Sequence, residues 1–252
     1  MDLSGRHIVV TGAGQGIGRA IALACAQLGA RLTLVGRGRA ALESTVAALP
    51  ADTACIVTGD VADEGLAASV LAEATARFGR IHGLVNNAGI SQPAMLAKLS
   101  NADWHRVLDV NLSGSFYLLQ ALGRHFIEQH AVDGMSSSIV NISSDAGRRG
   151  TIGQANYAAS KAALMGLTMS AAREWGRYAI RVNTVSYGFV DTPMTKTVKS
   201  EKFLDYYLKQ IPLGRISTPE EVTPPVCFLL SNAASYITGQ HLSVNGGMHI
   251  GY

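Results

Sequence analysis

The chain lacks any apolar run near the ~20 residues that a membrane-spanning helix requires. It also lacks a basic run. Twenty-one Lys and Arg are scattered among eighteen Asp and Glu, for a net charge of +3. That balance argues against nucleic acid or an anionic membrane as a partner. Cysteine is scarce, with Cys25, Cys55 and Cys227 standing apart in apolar surroundings. There is no Cys-x-x-Cys and no Cys/His spacing suited to zinc, so neither a disulfide framework nor a metal site is expected. Buried thiols in a reducing compartment fit this pattern. The amino terminus passes from Met1-Asp-Leu-Ser-Gly-Arg6 straight into a strand pattern. The expectation is therefore no signal peptide and a cytoplasmic location. Repeats and low-complexity tracts are absent. With 252 residues, 48% apolar and 15% charged, one α/β domain spanning residues 1–252 is expected.

What is present is an alternation of strand and helix patterns. His7-Ile-Val-Val-Thr11 breaks into Gly12-Ala-Gly14-Gln15-Gly16-Ile17-Gly18, and Arg19 to Leu28 reads as an alanine-rich helix. Strand, glycine turn and helix in that order make a phosphate site. Glycines let the backbone approach a pyrophosphate, and the helix start offers free N–H groups. A second strand, Arg31–Val35, ends in Gly36-Arg37-Gly38-Arg39. A carboxylate here would bind a ribose 2′-hydroxyl; a guanidinium suits a 2′-phosphate, so Arg37 favours NADP over NAD. Ala54–Thr58 is a third strand, followed by Asp60 and Val61; Asp60 equally suits a turn or a helix cap. A helix over Glu64–Phe78, a strand Ile81–Val85 and the turn Asn86-Asn87-Ala88-Gly89 come next. Ser100 caps a helix running from Asn101 to Gln129, broken near Asn111–Gly114. Strands over Ile139–Ile142, Arg181–Val185 and Gln240–Val244 complete the set. Such alternation calls for a doubly wound parallel sheet with helices on both faces.

Ser144 ends the fifth strand. Tyr157 and Lys161, four apart in a run of helix formers, share one helix face. Such a pair often merely decorates a solvated face. In a cleft, a neighbouring ammonium would favour the phenolate and bring Tyr157 into range as an acid or base.

The glycine spacing Thr11-Gly12-x-x-x-Gly16-x-Gly18, together with Tyr157-x-x-x-Lys161, resembles the short-chain dehydrogenase/reductase family. The likeness extends through Asp60, Asn86 to Gly89, Asn111, the Ser144-to-Tyr157 spacing and Val190-Asp191-Thr192, hence over essentially the whole chain. It implies a Rossmann fold with seven strands in the order 3-2-1-4-5-6-7. It also implies hydride transfer between a nicotinamide and a carbonyl or secondary alcohol. In that scheme Tyr157 exchanges the proton, Ser144, rather than Ser143, holds the substrate oxygen, and Lys161 tunes Tyr157 and binds the nicotinamide ribose. Asn111 would hold a relay water. Gly12, Gly14, Gln15, Gly16, Ile17, Gly18, Arg37, Asp60, Val61, Asn87, Ala88, Gly89, Gly188, Val190 and Thr192 would line the NADP site. The overall pattern also resembles 3-oxoacyl-carrier-protein reductases, for which Arg124, Arg173 and Arg177 could offer a basic surface. A dinucleotide-binding regulator without turnover is the reading from another class. Dimers or tetramers are implied, pairing the Trp104 and Tyr157 helices, with Leu164, Leu167, Met169 and Ala172 as a candidate stripe.

Two departures stand out. Tyr187 occupies a position where proline is common in the family, which places a ring at the substrate site as an expectation. Asn245 stands where Asp is common. A mixed substrate pocket of Ile90, Ser91, Gln92, Ile152, Tyr187, Phe189 and Met194 is expected, under a lid over residues 192–212. Finally, Thr218-Pro-Glu-Glu221 reads as a capping box, but Pro224 and Pro225 could not sit inside the same helix. A break between Glu221 and Pro225, with Thr223 as a second N-cap, resolves this.

Overall fold

Strand β1 (His7–Thr11) is buried along its whole length, as its β-branched run requires of a strand covered on both faces. It pairs in parallel with β2 (Arg31–Gly36) and β4 (Gly83–Asn86). The remaining strands are β3 (Ala54–Thr58), β5 (Ser137–Ser144), β6 (Ile180–Tyr187) and β7 (His241–Val244). The computed structural model describes residues 1–198 and 207–251, and among these all six strand pairings are parallel, in the order 3-2-1-4-5-6-7. This is the doubly wound Rossmann arrangement.

Side chains alternate across the sheet with a period of two. Ile8, Val10, Leu32 and Leu34 pack on one side with α1 (Gly16–Gln27) and α8 (Pro224–Leu230). Val9, Val35 and Leu84 pack on the other with α3 (Leu66–Phe78), α5 (Gly114–Asp133) and α7 (Ala155–Trp175). Phe126 of α5 is fully buried there, a burial worth roughly 2–3 kcal/mol. A short α2 (Arg39–Val46) lies between β2 and β3 without a clear signature in the sequence. Among the described residues no helix is long and apolar enough to cross a membrane.

The expected helix from Asn101 is three pieces. Ser100 caps α4 (Asn101–Leu108), accepting from Asp103 N at 3.0 Å. A π-helical turn, Asp109–Ser113, then leads into α5, which ends at Gly134 in the left-handed conformation. The break therefore lies where the mid-helix asparagine placed it. The break before α8 is present too. Glu221 N and Thr218 N exchange bonds with Thr218 Oγ1 (3.4 Å) and Glu221 Oε2 (2.9 Å), a capping box on a 3₁₀ turn, Glu220–Val222. Pro224 and Pro225 fill the first two positions of α8, where no N–H is required. Thr223 differs from expectation: its hydroxyl donates back to Glu220 O at 2.9 Å instead of capping forward.

The cysteines, isolated in sequence, are not all isolated in space. Cys25 of α1 and Cys227 of α8 bring their sulfurs to 3.9 Å, both buried and both free. The candidate interface stripe is divided. Leu164 and Ala172 belong to the core, whereas Met169 is exposed.

Candidate active site

At the carboxyl ends of β1 and β4 the chain turns twice in close contact. Thr11 Oγ1 accepts from Asn87 N and Ala88 N, both at 2.9 Å, and Asn87 Nδ2 donates to Thr11 O at 2.9 Å. Glycine is needed for this approach. A Cβ on Gly12 (φ +65°) would lie 2.9 Å from Asn87 Nδ2, and one on Gly18 only 2.2 Å from Gly12 O. No side chain caps α1 at Gln15, so its first N–H groups remain available to an anion. Such a cradle fits the pyrophosphate of a dinucleotide.

A cleft of about 410 Å³ extends from this loop. Gly12, Gly14, Gln15, Gly16, Ile17, Gly18, Arg37, Asp60, Val61, Asn87, Ala88, Gly89, Ser144, Tyr157, Lys161, Gly188, Val190 and Thr192 all border it. Sequence reasoning missed Gly36, Gly38, Ala41, Leu42 and Gly59 along the same wall; Ala41 and Leu42 belong to α2, the helix with no signature. At the outer end Arg37 Nη1 lies 3.9 Å from Asp60 Oδ2, with the Arg37 side chain 63% exposed and free to meet a further anion. Asp60 also accepts from Arg106 Nη2 at 3.0 Å and, as an Asx turn, from Ala62 N at 3.1 Å. These contacts with Ala62, Arg106 and Arg37 hold its carboxyl below the usual range against the opposing effect of burial. Arg106 lies 46 residues from Asp60, too far for any local signal.

Residues from three elements meet at the deep end. β5 delivers two adjacent serines with opposite fates. Both border the cleft, but Ser143 Oγ donates to Lys161 O at 2.8 Å and is committed to holding α7, whereas the Ser144 oxygen accepts from Ala146 N of its own turn at 3.2 Å. At the start of α7, Asn156 Oδ1 accepts from Tyr157 N at 2.8 Å and its Nδ2 donates to Gln92 O at 3.1 Å, which fixes the turn carrying Tyr157. One turn on, Lys161 Nζ donates to Ile142 O at 2.8 Å and lies 5.8 Å from the centre of the Tyr157 ring. Burial lowers the Lys161 ammonium pKa to about 8. It also raises the Tyr157 phenol, against which the neighbouring Ser144 hydroxyl acts in the opposite sense. The expected downward pull of Lys161 on Tyr157 does not emerge: burial raises the phenol, and Ser144 alone acts against it.

Asn111 stands one layer behind, fully buried and outside the cleft lining. Its Oδ1 accepts from Ile90 N at 2.8 Å, and its Nδ2 donates to Ile90 O at 3.0 Å and Ser160 Oγ at 3.1 Å. The side-chain amide is thus spent on tying the loop after β4 to α7. Its backbone carbonyl accepts from Ser115 Oγ at 2.9 Å and has a second lone pair.

The substrate-pocket expectations divide. Ile90 and Met194 border the cleft, whereas Ser91, Gln92 and Phe189 do not, and Ile152 is 83% exposed. Tyr187 requires a correction. It borders the cleft, but its ring lies in the core beside Cys25 and Cys227, and its hydroxyl donates to Val222 O at 2.9 Å. The ring follows the inward side of β6, because the strand's alternation leaves it no other direction. Of the lid, residues 199–206 with Tyr206 lie outside the described residues; Pro193–Val198 is a 3₁₀ segment.

Residues 12–249 match the family described as enoyl-(acyl carrier protein) reductase. The chain is 40% identical over 253 residues to the 3-oxoacyl-[acyl-carrier-protein] reductase of Thermotoga maritima, covering 99% of this chain and 100% of that protein. It is also 40% identical over 250 residues to human (3R)-3-hydroxyacyl-CoA dehydrogenase, covering 95% and 94%. A solved short-chain dehydrogenase/reductase from Brucella melitensis superposes with a TM-score of 0.90 at 37% identity, covering all of both chains. With the glycine loop, the Ser144, Tyr157 and Lys161 cluster and the sheet order, these likenesses show that the chain is an oxidoreductase belonging to the short-chain dehydrogenase/reductase family.

Proposed function

We propose that this chain interconverts a carbonyl and a secondary alcohol with NADP(H), its substrate class being 3-oxoacyl thioesters and their 3-hydroxy counterparts. The observation that carries the reading is the convergence of Ser144, Tyr157 and Lys161 at one end of a cleft whose other end is the glycine cradle. When bound, the dinucleotide supplies the hydride chemistry. Gly12, Gly16 and Gly18 admit its pyrophosphate, and Arg37 provides the guanidinium for a 2′-phosphate. The Ser144 hydroxyl, its oxygen already accepting from Ala146 N, donates to the substrate oxygen and orients it. Tyr157 gives its phenolic proton to the developing alkoxide in reduction and recovers it in oxidation. Burial favours the protonated phenol, the form that reduction needs. Lys161, anchored on Ile142 O, would hold the ribose hydroxyls and, as an ammonium, favours proton release by Tyr157. Asn111 takes the relay role through its backbone carbonyl, since its amide is engaged.

The thioester class rests on two 40% identical relatives whose names specify 3-oxoacyl and 3-hydroxyacyl substrates. Exposed Arg124, Arg173 and Arg177 offer the basic surface an acidic carrier would need. We place the protein in the cytoplasm as a homo-oligomer of two or four chains.

Consumption of NADPH, followed by absorbance, tests the reading with acetoacetyl-CoA beside a simple ketone, and with NADH beside NADPH. Faster turnover of the thioester with NADPH is expected; preference for the ketone returns the chain to general carbonyl reduction. Absence of turnover with every pair would make it a non-catalytic binder. Tyr157→Phe should lower kcat by about 10²–10⁴-fold with dinucleotide affinity unchanged.

A further inference from the structure

We propose that Asp145 and Asn245 form a positioning pair that holds the Ser144 hydroxyl in register with Tyr157; this rests on the role of Ser144 given above. Asp145 directly follows Ser144, yet it is 3% exposed and outside the cleft lining. Every polar group it has but one is engaged. Its N–H donates to Tyr187 O at 3.0 Å, its carbonyl accepts from Arg148 N and Arg149 N at 3.0 Å, and its Oδ2 accepts from Asn245 Nδ2 at 2.7 Å. Only Oδ1 is buried without a hydrogen-bond partner. The turn that presents Ser144 is thus tied by its backbone to the end of β6 and by its one carboxylate to the residue after β7.

Neither tie has slack. Asn245 Nδ2 also donates to His249 O at 2.9 Å, and its Oδ1 accepts from Gly247 N at 2.9 Å. Its backbone lies so close to Gly188, on the cleft wall, that a Cβ there would be 2.9 Å from Asn245 Cα. On the other side, a Cβ on Gly147 would lie 2.7 Å from Ala162 N and 2.8 Å from Lys161 C. The short helix Ala146–Arg149 is therefore seated on the helix that carries Tyr157 and Lys161. Because Ala146 N also donates to Ser144 Oγ, a rotation of the Asp145 peptide shifts the serine oxygen against the tyrosine. A misplacement of about 1 Å costs on the order of 100-fold in rate. A carboxylate accepting from an amide gives a short, charge-assisted bond, and the surroundings can bear the charge. Arg148 and Arg149 of the same short helix and His249 of the tail face Asp145, and their charges and the Asn245 amide oppose the upward effect of burial on its carboxyl. His241 of β7 interacts with Arg148 and His249.

The pair is tested by exchanging its members. Asn245→Asp sets two carboxylates against each other, so one proton must be shared between them for the bond to survive. We expect kcat to fall about 10- to 100-fold at high pH and to recover as the pH falls, with dinucleotide affinity unchanged. The double variant Asp145→Asn/Asn245→Asp restores an amide facing a carboxylate; kcat should return to within about threefold of the parent, and the added pH limb should vanish. A role in packing alone would not produce a pH limb that a change at residue 145 removes. Parent-like kcat in Asn245→Asp at all pH values overturns the pair, as does a loss that persists in the double variant. Should Asn245→Asp fail to fold, the double variant decides: near-parent kcat supports the pair, and an inactive or unfolded protein overturns it. A parent without dinucleotide-linked turnover sinks the functional reading and the pair with it; an active parent with variants behaving otherwise sinks the pair alone.

Discussion

Burial drives Lys161 and Tyr157 toward the same condition, neutrality, by lowering the ammonium pKa to about 8 and raising that of the phenol. The lysine leaves a signature in stability. Its ordinary value is 10.5, so between about 8 and 10.5 the unfolded chain binds a proton that the folded ligand-free protein does not. Stability therefore rises with pH across that window, by at most about 1.4 kcal/mol per pH unit. Cys25, through its bond with Cys227 and then burial, and Cys55, through burial, are held above 9.0 and oppose the trend, whereas Cys227, held below 9.0 by Cys25, adds to it. The comparison is made over the interval from pH 8 to 9, against a variant that shares the same cysteines, so that the lysine alone differs. Urea midpoints of the parent should climb through it relative to those of Lys161→Met; parallel curves would show that the lysine is ordinary. Tyr157, Lys161 and Ser144 were legible as candidates through the family resemblance, since a Tyr-x-x-x-Lys pair by itself often merely decorates a solvated face. Their proton affinities were not, because desolvation depends on neighbours that fold in from β5, α7 and the loop after β4.

At the scale of elements, the π turn at Asp109–Ser113 places Asn111 where its amide closes on both backbone groups of Ile90. Asn111→Leu would leave that N–H and C=O without their partner, at about 1–3 kcal/mol each when water cannot replace it. A loss of about 3 kcal/mol in urea unfolding is expected, and a change below about 0.5 kcal/mol would show that water takes over. The sequence located this break through a poor helix former in mid-helix, and the α8 boundary through two prolines and a capping box. Local chemistry announces such points because a missing N–H or an unfavourable rotamer acts within one turn. The Tyr187 ring illustrates the opposite case. Which side of β6 faces the core depends on how the whole sheet is covered, and nothing within a few residues of the tyrosine encodes it. The encounter of Cys25 with Cys227, 202 residues apart, was equally hidden.

For the molecule as a whole, the proposed assembly through α4 and α7 is tested by its mass in solution. Light scattering should give the mass of two or four chains; a monomer that retains full activity would remove assembly from the functional account. Saturating NADPH should also stabilise the fold, by about 2.7 kcal/mol at a hundredfold excess over Kd, and more than NADH at equal concentration. The alternation of strand and helix, the glycine loop and the Tyr157-to-Lys161 spacing stand in the sequence itself, because each rests on local periodicity or fixed short spacing. The strand order and the choice of Ser144 followed there only from the family resemblance. The tertiary structure decided the rest: that Ser143 is bonded to the backbone of α7 while Ser144 takes a backbone N–H of its own turn, that Arg106 grips Asp60, and that Asp145 is clamped by Asn245. These are contacts between segments distant along the chain, and only closure of the sheet and its covering helices brings such groups within hydrogen-bond reach.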